Sequence, residues 1–303
     1  MKEPLLVLDV NYLAHRAWHA MGALTYNDDG TGALFGVIKD ITHFQDMFKT
    51  KRTAFCFDAK RNKRYAILPT YKGSRKAKYQ EGTDEDKRAR DDLNRQIKML
   101  RDLWLPMMGF SNVFSIIGYE ADDVIAKITK DLPEDDEAII ISADHDLYQC
   151  LRPNVWIWNA HSNRAYTLEL FREQWGIEPD QWAACKAYAG CTTDDVPGVK
   201  GVAEPTAAKF LRGELGLHLK SYSNIIAFEP TFHRNMKLVQ LPFPGLPEFR
   251  LQEDTVSEEK WAMVVDKLGL HSLVNDTPGG VTKKSRGRKR DGYKKEGFGF
   301  NRD

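Results

Sequence analysis

Short apolar runs alternate with helical patterns along the first half of the chain. Five of these runs are continuous, which is typical of strands buried on both faces of a parallel sheet. They are Leu5–Asp9, Thr53–Asp58, Val113–Ile117, Ala138–Ser142 and Val155–Trp158. A strand–helix rhythm of this kind predicts an α/β fold, with a mainly parallel central sheet flanked by helices, over residues 1–160.

A polar, basic stretch from Pro69 to Gly82 interrupts this rhythm. A connection of that length inside a compact domain is usually functional or disordered. A helical pattern resumes after it and runs through Leu93 and Ile97 to Trp104.

Beyond Trp158 the strand pattern stops and helical patterns dominate. A tight turn, Asp195–Gly201, precedes one of these helices, and Pro205 suits the first turn of that helix. We expect a helical region over residues 161–276 and a disordered tail over 277–303, where the composition becomes Gly, Lys and Arg. The predicted helices are Leu168–Trp175, Gln181–Ala189, Thr206–Leu211 and Ser257–Leu268.

The charge of the chain is nearly balanced overall but unevenly placed. The 303 residues are 42% hydrophobic and 29% charged, with a net charge of +1, which is enough for one large or two modest domains. Residues 59–80 hold eight basic side chains and no acidic one, and residues 281–303 hold nine basic against three acidic. Such blocks favour a polyanionic partner, although either alone also occurs as an ordinary solvated face.

The four cysteines have no Cys-x-x-Cys spacing, which argues against a zinc site. Nothing at the N-terminus resembles a signal peptide, and no apolar run reaches the ~18 residues that span a bilayer. We therefore expect a cytoplasmic protein (in the host cytoplasm if a phage encodes it) without a membrane partner.

Carboxylates follow four of the five predicted strands: they are Asp9, Asp58, Glu120 and Asp144. Ligands of open α/β sheets bind beyond the carboxyl ends of the strands. Carboxylates gathered there repel one another unless a cation lies between them. The pattern therefore indicates a divalent-metal site, which usually handles phosphates.

Three denser acidic motifs add to these strand ends. They are Gly118–Ala126 with Glu120, Asp122 and Asp123, then Ser142–Asp146 with Asp144 and Asp146, and finally Thr193–Asp195 with Asp194. Each carboxylate alone is more often a helix cap or turn residue than a ligand. Together they exceed what one cation needs and fit two, an arrangement that suits phosphodiester cleavage.

Taken in order, these motifs resemble those of the flap endonuclease family of 5′ nucleases. The nearest resemblance is to stand-alone bacteriophage members and to the 5′-nuclease domain of bacterial DNA polymerase I. It implies a PIN-like nuclease fold with a helical arch at about 69–103 and a C-terminal helix-hairpin-helix-type subdomain, with the hairpin variant at about 181–213. The matching stretches, within roughly 5–215, are Leu8–Arg16, Phe57–Asp58, Tyr71–Arg75, Gly118–Ala126, Ser142–Asp146 and Thr193–Gly201.

The resemblance also assigns roles to individual residues. Lys72 and Arg75 are implied to be catalytic, holding the scissile phosphate, and Tyr71 to stack on a base near the 5′ end, with packing of the arch as its alternative role. The implied ligands of two Mg²⁺ (or Mn²⁺) ions are Asp9, Asp58, Glu120, Asp122, Asp123, Asp144, Asp146 and Asp194. Further implied contacts to nucleic acid are Arg16, Arg64, Gly198, Lys200, Gly201 and Thr206, with a monovalent cation such as K⁺ at the hairpin.

Three positions depart from the family pattern. Ala203 stands where relatives usually have glycine and Pro205 where they have lysine, which predicts a weaker or rearranged grip on duplex DNA. Cys191 stands where relatives often carry aspartate, which alters the outer part of the second metal site and leaves Asp195 as a candidate substitute.

The motifs and the resemblance predict a metal-dependent 5′→3′ exonuclease or structure-specific flap endonuclease acting in DNA replication. Its expected substrates are DNA with free 5′ ends, flaps or RNA primers. Two alternatives stay open: a related PIN-like ribonuclease and a non-catalytic DNA-junction binder. A phosphatase that uses Asp9 is disfavoured because Asn11 replaces the expected second acid. The basic tail is expected either to add DNA affinity or to dock a replication protein, and we expect a monomer.

Overall fold

A computed structural model describes residues 2–274 and 276, so the predicted tail, 277–303, lies outside the described residues. The strands are β1 (Leu5–Asp9), β2 (Thr25–Tyr26), β3 (Asp29–Gly30), β4 (Thr53–Cys56), β5 (Val113–Phe114), β6 (Ala138–Ile141), β7 (Val155–Asn159) and β8 (Arg164–Tyr166). One sheet has the order β5-β4-β1-β6-β7-β8, and β2 pairs with β3. Neighbours in the large sheet are parallel except β7 and β8, so the predicted mainly parallel sheet is confirmed.

Helices connect and cover these strands. They are α1 (Val10–Met21), α2 (Gly32–Phe48), α3 (Gly73–Glu81), α4 (Asp84–Met99), α5 (Leu105–Met108), α6 (Ala121–Asp131), α7 (Leu168–Trp175), α8 (Trp182–Ala189), α9 (Glu204–Leu211), α10 (Lys220–Ile226), α11 (Glu229–Val239) and α12 (Glu258–Lys267). A π-helical segment, Leu100–Trp104, continues α4 into α5.

The chain reverses its progress across the sheet at β1. It runs outward from β1 through β4 to β5 and then returns to the other side of β1 as β6 and β7. Such a switch point opens a crevice beyond the carboxyl ends of the strands, where open α/β sheets bind ligands. The ends of β1 and β6 therefore mark the expected place of a site.

The apolar run of β1 fills a core on each face of the sheet. Leu6 and Leu8 pack on one face with side chains of α1, α2 and α12, whereas Leu5 and Val7 pack on the other with side chains of α6 and α8. Successive side chains of a strand point to opposite faces. The run can therefore carry no polar residue until Asp9, where the strand ends.

The stretch that the residue pattern presents as a long irregular connection contains a helix. α3 buries none of its side chains and is followed after a short turn by α4. Thr83 starts α4 with a reciprocal cap, because its hydroxyl accepts from the amide of Asp86 (3.1 Å) while the Asp86 carboxylate accepts from the amide of Thr83 (3.0 Å). We call α3 and α4 the arch helices, since they occupy the segment where the family has its arch.

The helical region contains the predicted helices and three elements that were not predicted. α7 has the predicted bounds, and α8, α9 and α12 lie within the predicted ranges or within two residues of them. The prediction that strands stop at Trp158 is wrong, because β8 pairs with β7. α10 and α11 were also missed; α11 begins beside Pro230, in the first turn where proline costs a helix least.

No helix among residues 2–274 and 276 combines the length and the apolar character that crossing a membrane requires.

Candidate active site

A cavity of about 450 Å³ lies beyond the carboxyl ends of β1, β4 and β6. Its lining has three cationic side chains, those of Lys72, Arg75 and Lys186. Six aspartates also line it, so carboxylates outnumber cations there; they are Asp9, Asp58, Asp122, Asp144, Asp146 and Asp194.

The ends of the first two central strands fix two of these carboxylates. Asp9 ends β1 and caps α1: its Oδ1 accepts from the amide of Tyr12 (3.0 Å), and its Oδ2 accepts from the Ser142 hydroxyl (2.9 Å). Asp58 follows β4, and its Oδ1 accepts from the amide of Ala121 at the start of α6 (2.9 Å). Both carboxylates are thus held by backbone donors of neighbouring elements.

The first turn of α6 brings two further carboxylates to the site. Glu120 caps the helix, accepts from the Tyr71 hydroxyl (2.9 Å) and pairs with Lys72. Asp122 lines the cavity itself. The first turn of α6 therefore links the carboxylates of the cavity to the base of the arch helices.

The end of β6 and the turn before Val196 supply the outer part of the site. The Oδ1 of Asp144 accepts from the amide of Asp146 (2.8 Å), and Asp146 pairs with Lys186 (3.2 Å). Asp194 accepts from Arg75 (2.8 Å), which lies in the first turn of α3. Carboxylates from separate segments of the chain thus meet in one cavity.

Burial and mutual repulsion raise the pKa of several of these carboxylates. Desolvation is the largest cause in each case, and nearby carboxylates add to it. The pKa of Asp9 rises to about 7 and that of Asp146 to about 6, and the pKa of Asp58 and that of Asp122 are also raised. Groups with an excess of negative charge and raised pKa values are typical of sites that take up a cation.

The donor set fits divalent cations. Carboxylate oxygens are the ligands that Mg²⁺ and Mn²⁺ prefer. At the outer end, ligand atoms of Asp146, Cys191 and Asp194 all lie within 4.8 Å of one another. The sequence-based expectation that acidic motifs from distant segments converge on one site thus matches the geometry, apart from the residues described next.

Two residues expected to contact DNA or metal are instead buried and paired with each other, and Arg64 also lies 3.4 Å from Glu120. Arg64 is 2% exposed and its guanidinium donates to both oxygens of Asp123 (2.7 and 2.9 Å), which is itself fully buried. The Nε of Arg64 also donates to the carbonyl of Leu238 (2.7 Å). We therefore remove Arg64 from the DNA contacts and Asp123 from the metal ligands, because their charges satisfy each other inside the protein.

Tyr71 does not present a face for stacking. It is 3% exposed, its ring packs among Ala183, Val196 and Leu238, and its hydroxyl donates to Glu120 and Asp194. The alternative role, packing at the base of the arch, is the one that the structure supports.

The departures at the hairpin have a structural explanation. Ala203 has φ −106°, an extended conformation open to any residue, so the absence of glycine causes no strain there. Pro205 lies in the first turn of α9 as predicted. Asp195 accepts from the amide of Ser74 (2.8 Å) and does not line the cavity, so it does not replace the missing aspartate at Cys191.

The remaining predicted contacts do not line the cavity. Arg16 pairs with Asp40 and donates to the carbonyl of Ala160 (3.1 Å), so its phosphate contact stays a prediction. The other four are Gly198, Lys200 and Gly201, on the connection between α8 and α9, and Thr206, in the first turn of α9.

Sequence reasoning missed two residues of the site. Lys186 is 7% exposed and pairs with both Asp146 (3.2 Å) and Glu204 (3.5 Å). Its signal was a single charge within the otherwise apolar sequence of α8. Ser142 is fully buried and bridges Asp9 and the amide of Asp144; it begins the motif Ser142–Asp146, but the sequence does not show the contact of its hydroxyl with Asp9.

The fold and the acidic cavity define the class of metal-dependent nucleases. A family model described as "5′-3′ exonuclease, N-terminal resolvase-like domain" matches residues 4–176. The chain therefore belongs to the 5′-3′ exonuclease family, and the family predicted from its motifs is confirmed.

Individual relatives agree with this assignment. The chain is 30% identical to the thermostable DNA polymerase I of Thermus thermophilus over 228 residues, 74% of this chain, but spans only 26% of that polymerase. It is 28% identical over 256 residues to a 5′-3′ exonuclease of Buchnera aphidicola, covering 83% of this chain and 80% of the relative. The fold is similar to that of a bacteriophage T5 flap endonuclease solved with DNA and metal ions (TM-score 0.67, 24% identity, 90% of this chain and 97% of that one).

Proposed function

We propose that the chain is a divalent-cation-dependent 5′→3′ nuclease that hydrolyses phosphodiesters near 5′ ends or branches of DNA. The observation that carries the proposal is the convergence of six aspartates on one cavity beside the basic helix α3. Excess carboxylate favours divalent cations, and adjacent Lys and Arg side chains favour a phosphate-bearing substrate. Membership of the 5′-3′ exonuclease family supports the same activity.

We assign the carboxylates to two positions by their mutual electrostatic influence. The charges of Asp144, Asp9, Asp58 and Glu120 raise the pKa of Asp122. Together with Asp122, these carboxylates would hold an inner Mg²⁺ (or Mn²⁺). The charges of Asp144 and Asp194 raise the pKa of Asp146. Together with Asp146, these two carboxylates would hold an outer ion. When bound, such ions supply an activated water and stabilise charge on the leaving oxygen.

Lys72 and Arg75 are the proposed phosphate-holding residues. Lys72 pairs with Glu120 and lies 3.8 Å from Asp194, and Arg75 lies 2.8 Å from Asp194. These ion pairs hold Lys72 and Arg75 only as long as Glu120 and Asp194 bind no cation. With Glu120 and Asp194 holding cations, Lys72 and Arg75 would be free to neutralise the scissile phosphate.

A second cavity, of about 400 Å³, lies at the arch helices. It is lined by Tyr65, Lys76, Tyr79 and Arg90, together with Lys72 and Arg75 of the first cavity. Lys76 lies 4.2 Å from the ring of Tyr65, and Arg90 5.4 Å from that of Tyr79. Alternating rings and cations suit an unpaired strand, whose bases stack while its phosphates meet charge, so we infer that the 5′ strand lies here.

We further propose that the helical region, 161–276, holds the duplex. Lys200 and Gly201 are exposed on the hairpin, where backbone amides could bind phosphates without regard to sequence. Glu204 at the first position of α9 opposes this contact, which predicts modest duplex affinity. A monovalent cation at the hairpin, RNA primers as substrates, and action as a monomer complete the proposal.

The experiment compares wild type with Asp144→Asn on 5′-labelled substrates in Mg²⁺ and in EDTA. The substrates are a blunt duplex, a 5′ flap, a hairpin and a single-stranded RNA. Asparagine keeps the Oδ1 that accepts from the amide of Asp146 (2.8 Å) and removes the negative charge. The matched control is Asp135→Asn, which changes an exposed carboxylate remote from the cavity.

Mg²⁺-dependent cleavage of DNA by wild type and Asp135→Asn, lost in Asp144→Asn, is the expected result. Product lengths then separate exonuclease from flap cleavage. Tight binding of the flap without cleavage in any divalent cation would favour the non-catalytic junction binder instead. Preferential cleavage of the RNA would favour the PIN-like ribonuclease.

A further inference from the structure

The outer end of the acidic cavity contains a sulfur donor as well as oxygens. The Sγ of Cys191 and carboxylate oxygens of Asp146 and Asp194 lie within 4.8 Å of one another. Cys56, Cys150 and Cys185 are buried in the apolar core, whereas Cys191 is half-buried and lines the cavity. The outer end of the cavity therefore offers a mixed sulfur–oxygen ligand set.

The backbone fixes this sulfur rather than leaving it on a free loop. The amide and carbonyl of Cys191 both pair with Val196 (2.9 Å each), and the amide of Asp194 donates to the Cys191 carbonyl (3.2 Å). These bonds close a six-residue turn that carries Cys191 and Asp194 on a common frame. The Sγ lies 3.1 Å from the Thr193 hydroxyl, a weak hydrogen-bond partner that a stronger one can displace.

The charges around the sulfur decide which cations it favours. Asp146 is paired with Lys186 (3.2 Å) and Asp194 with Arg75 (2.8 Å), so each carboxylate already has a cationic neighbour. Carboxylates with cationic neighbours attract a hard cation such as Mg²⁺ less strongly than unpaired ones do, and Mg²⁺ gains little from sulfur. A thiolate adds the missing negative charge and selects Zn²⁺ or Co²⁺, for which sulfur is a preferred ligand.

We propose that Cys191 is a ligand of the outer cation and makes that position selective for Zn²⁺ or Co²⁺ over Mg²⁺. The inner carboxylates keep their preference for Mg²⁺ or Mn²⁺. Binding breaks the S–H bond, forms a metal–sulfur bond and releases the proton to solvent. The proposal rests on the proposed function in one respect: it takes the cavity to be a divalent-cation site.

The test is a titration of the full-length chain with Co²⁺, followed by near-ultraviolet absorption and by calorimetry. Sulfur-to-cobalt charge transfer gives a near-ultraviolet band that oxygen ligands do not give. We expect the band in wild type and in Cys185→Ala, which removes a buried thiol that does not line the cavity. The band should be absent in Cys191→Ser and Cys191→Asp.

Competition with Zn²⁺ adds a second readout. Cys191→Ser should bind Zn²⁺ at least about tenfold more weakly, the loss typical of disturbing even an outer partner of a metal ligand. Cys191→Asp should instead bind Mg²⁺ more tightly than wild type does, because it restores an all-oxygen set. Thermal unfolding of each variant verifies that it is folded.

Two outcomes separate the failures. Co²⁺ binding seen by calorimetry without the sulfur band, or with equal Zn²⁺ affinity in Cys191→Ser, overturns the role of Cys191 and leaves the nuclease proposal standing. Absence of any Co²⁺, Zn²⁺ or Mg²⁺ binding overturns both proposals.

Discussion

Replacing Asp9 by asparagine should stabilise the metal-free protein, although Asp9 is a proposed metal ligand. Asp9 is 8% exposed, and Asp58 and Asp144 add their repulsion to the desolvation of its carboxylate. Asparagine keeps an Oδ1 for the amide of Tyr12 and offers its amide group to the hydroxyl of Ser142. The substitution therefore removes a disfavoured charge, keeps the bond from the Tyr12 amide and reverses the bond with Ser142, whose hydroxyl then accepts.

The magnitude follows from the pKa of Asp9, which rises from 3.8 to about 7. Each pKa unit corresponds to about 1.4 kcal/mol, so ionised Asp9 costs the folded state about 4 kcal/mol at pH 8 and about 2 kcal/mol at pH 5.5. The sign follows because the folded state binds the proton more tightly. The contribution of the protonated Asp9 side chain to the stability of the folded protein is complete below about pH 4 and is lost as the pH rises through 7.

Urea unfolding in EDTA at pH 5.5 and pH 8 measures this effect. The free energy of unfolding of Asp9→Asn should exceed that of wild type by about 4 kcal/mol at pH 8 and by about half as much at pH 5.5. The control is Asp136→Asn, because hydrogen bonding to Arg52 lowers the pKa of Asp136 and its ionised form is stabilising. That variant should be less stable than wild type at both pH values.

Adding Mg²⁺ should narrow the difference in free energy of unfolding between wild type and Asp9→Asn. A cation bound by wild type at 100 times its Kd adds about 2.7 kcal/mol, and Asp9→Asn should lose most of that gain. A variant no more stable than wild type at pH 8 in EDTA, or one with the same advantage at both pH values, would refute the argument from buried charge.

Two further predictions address the basic residues. Lys72→Met should lower kcat on a 5′ flap by ~10²–10³-fold, the cost of losing one charge-stabilising group, whereas Lys78→Met on the exposed face of α3 should leave kcat unchanged; equal rates for both would contradict the assigned role. Arg64→Met should destabilise the protein by ~3–5 kcal/mol in urea, because it strands buried Asp123, and fluorescence anisotropy should find unchanged DNA affinity; weaker affinity with unchanged stability would restore Arg64 as a DNA contact.

The sheet and the inner carboxylates are predictable because both depend on local sequence. A strand buried on both faces needs a continuous apolar run, and the first carboxylate after it lies at the carboxyl edge of the sheet. The residue pattern alone therefore leads to Asp9, Asp58 and Asp144, all of which line the cavity. β8 escapes the same reasoning because a three-residue edge strand, Arg164–Tyr166, has too few positions to form a pattern.

The side chains that were assigned wrongly are those whose direction depends on distant partners. Asp122 and Asp123 are consecutive in α6, yet one lines the cavity and the other turns inward to Arg64, 59 positions away. A helix rotates about 100° per residue, so neighbouring carboxylates face different surroundings. No local pattern states which of the two carboxylates faces a buried arginine.

The charged contacts at the site also determine how the arch is held. α3 buries no side chain, so apolar packing does not fix it. Its base is held by Lys72 on Glu120, by Arg75 on Asp194, and by the Ser74 amide on Asp195. Of these three carboxylates, Glu120 and Asp194 are proposed cation ligands. If Glu120 and Asp194 hold cations as proposed, cation binding would compete with the contacts that anchor the arch and would free Lys72 and Arg75 for DNA.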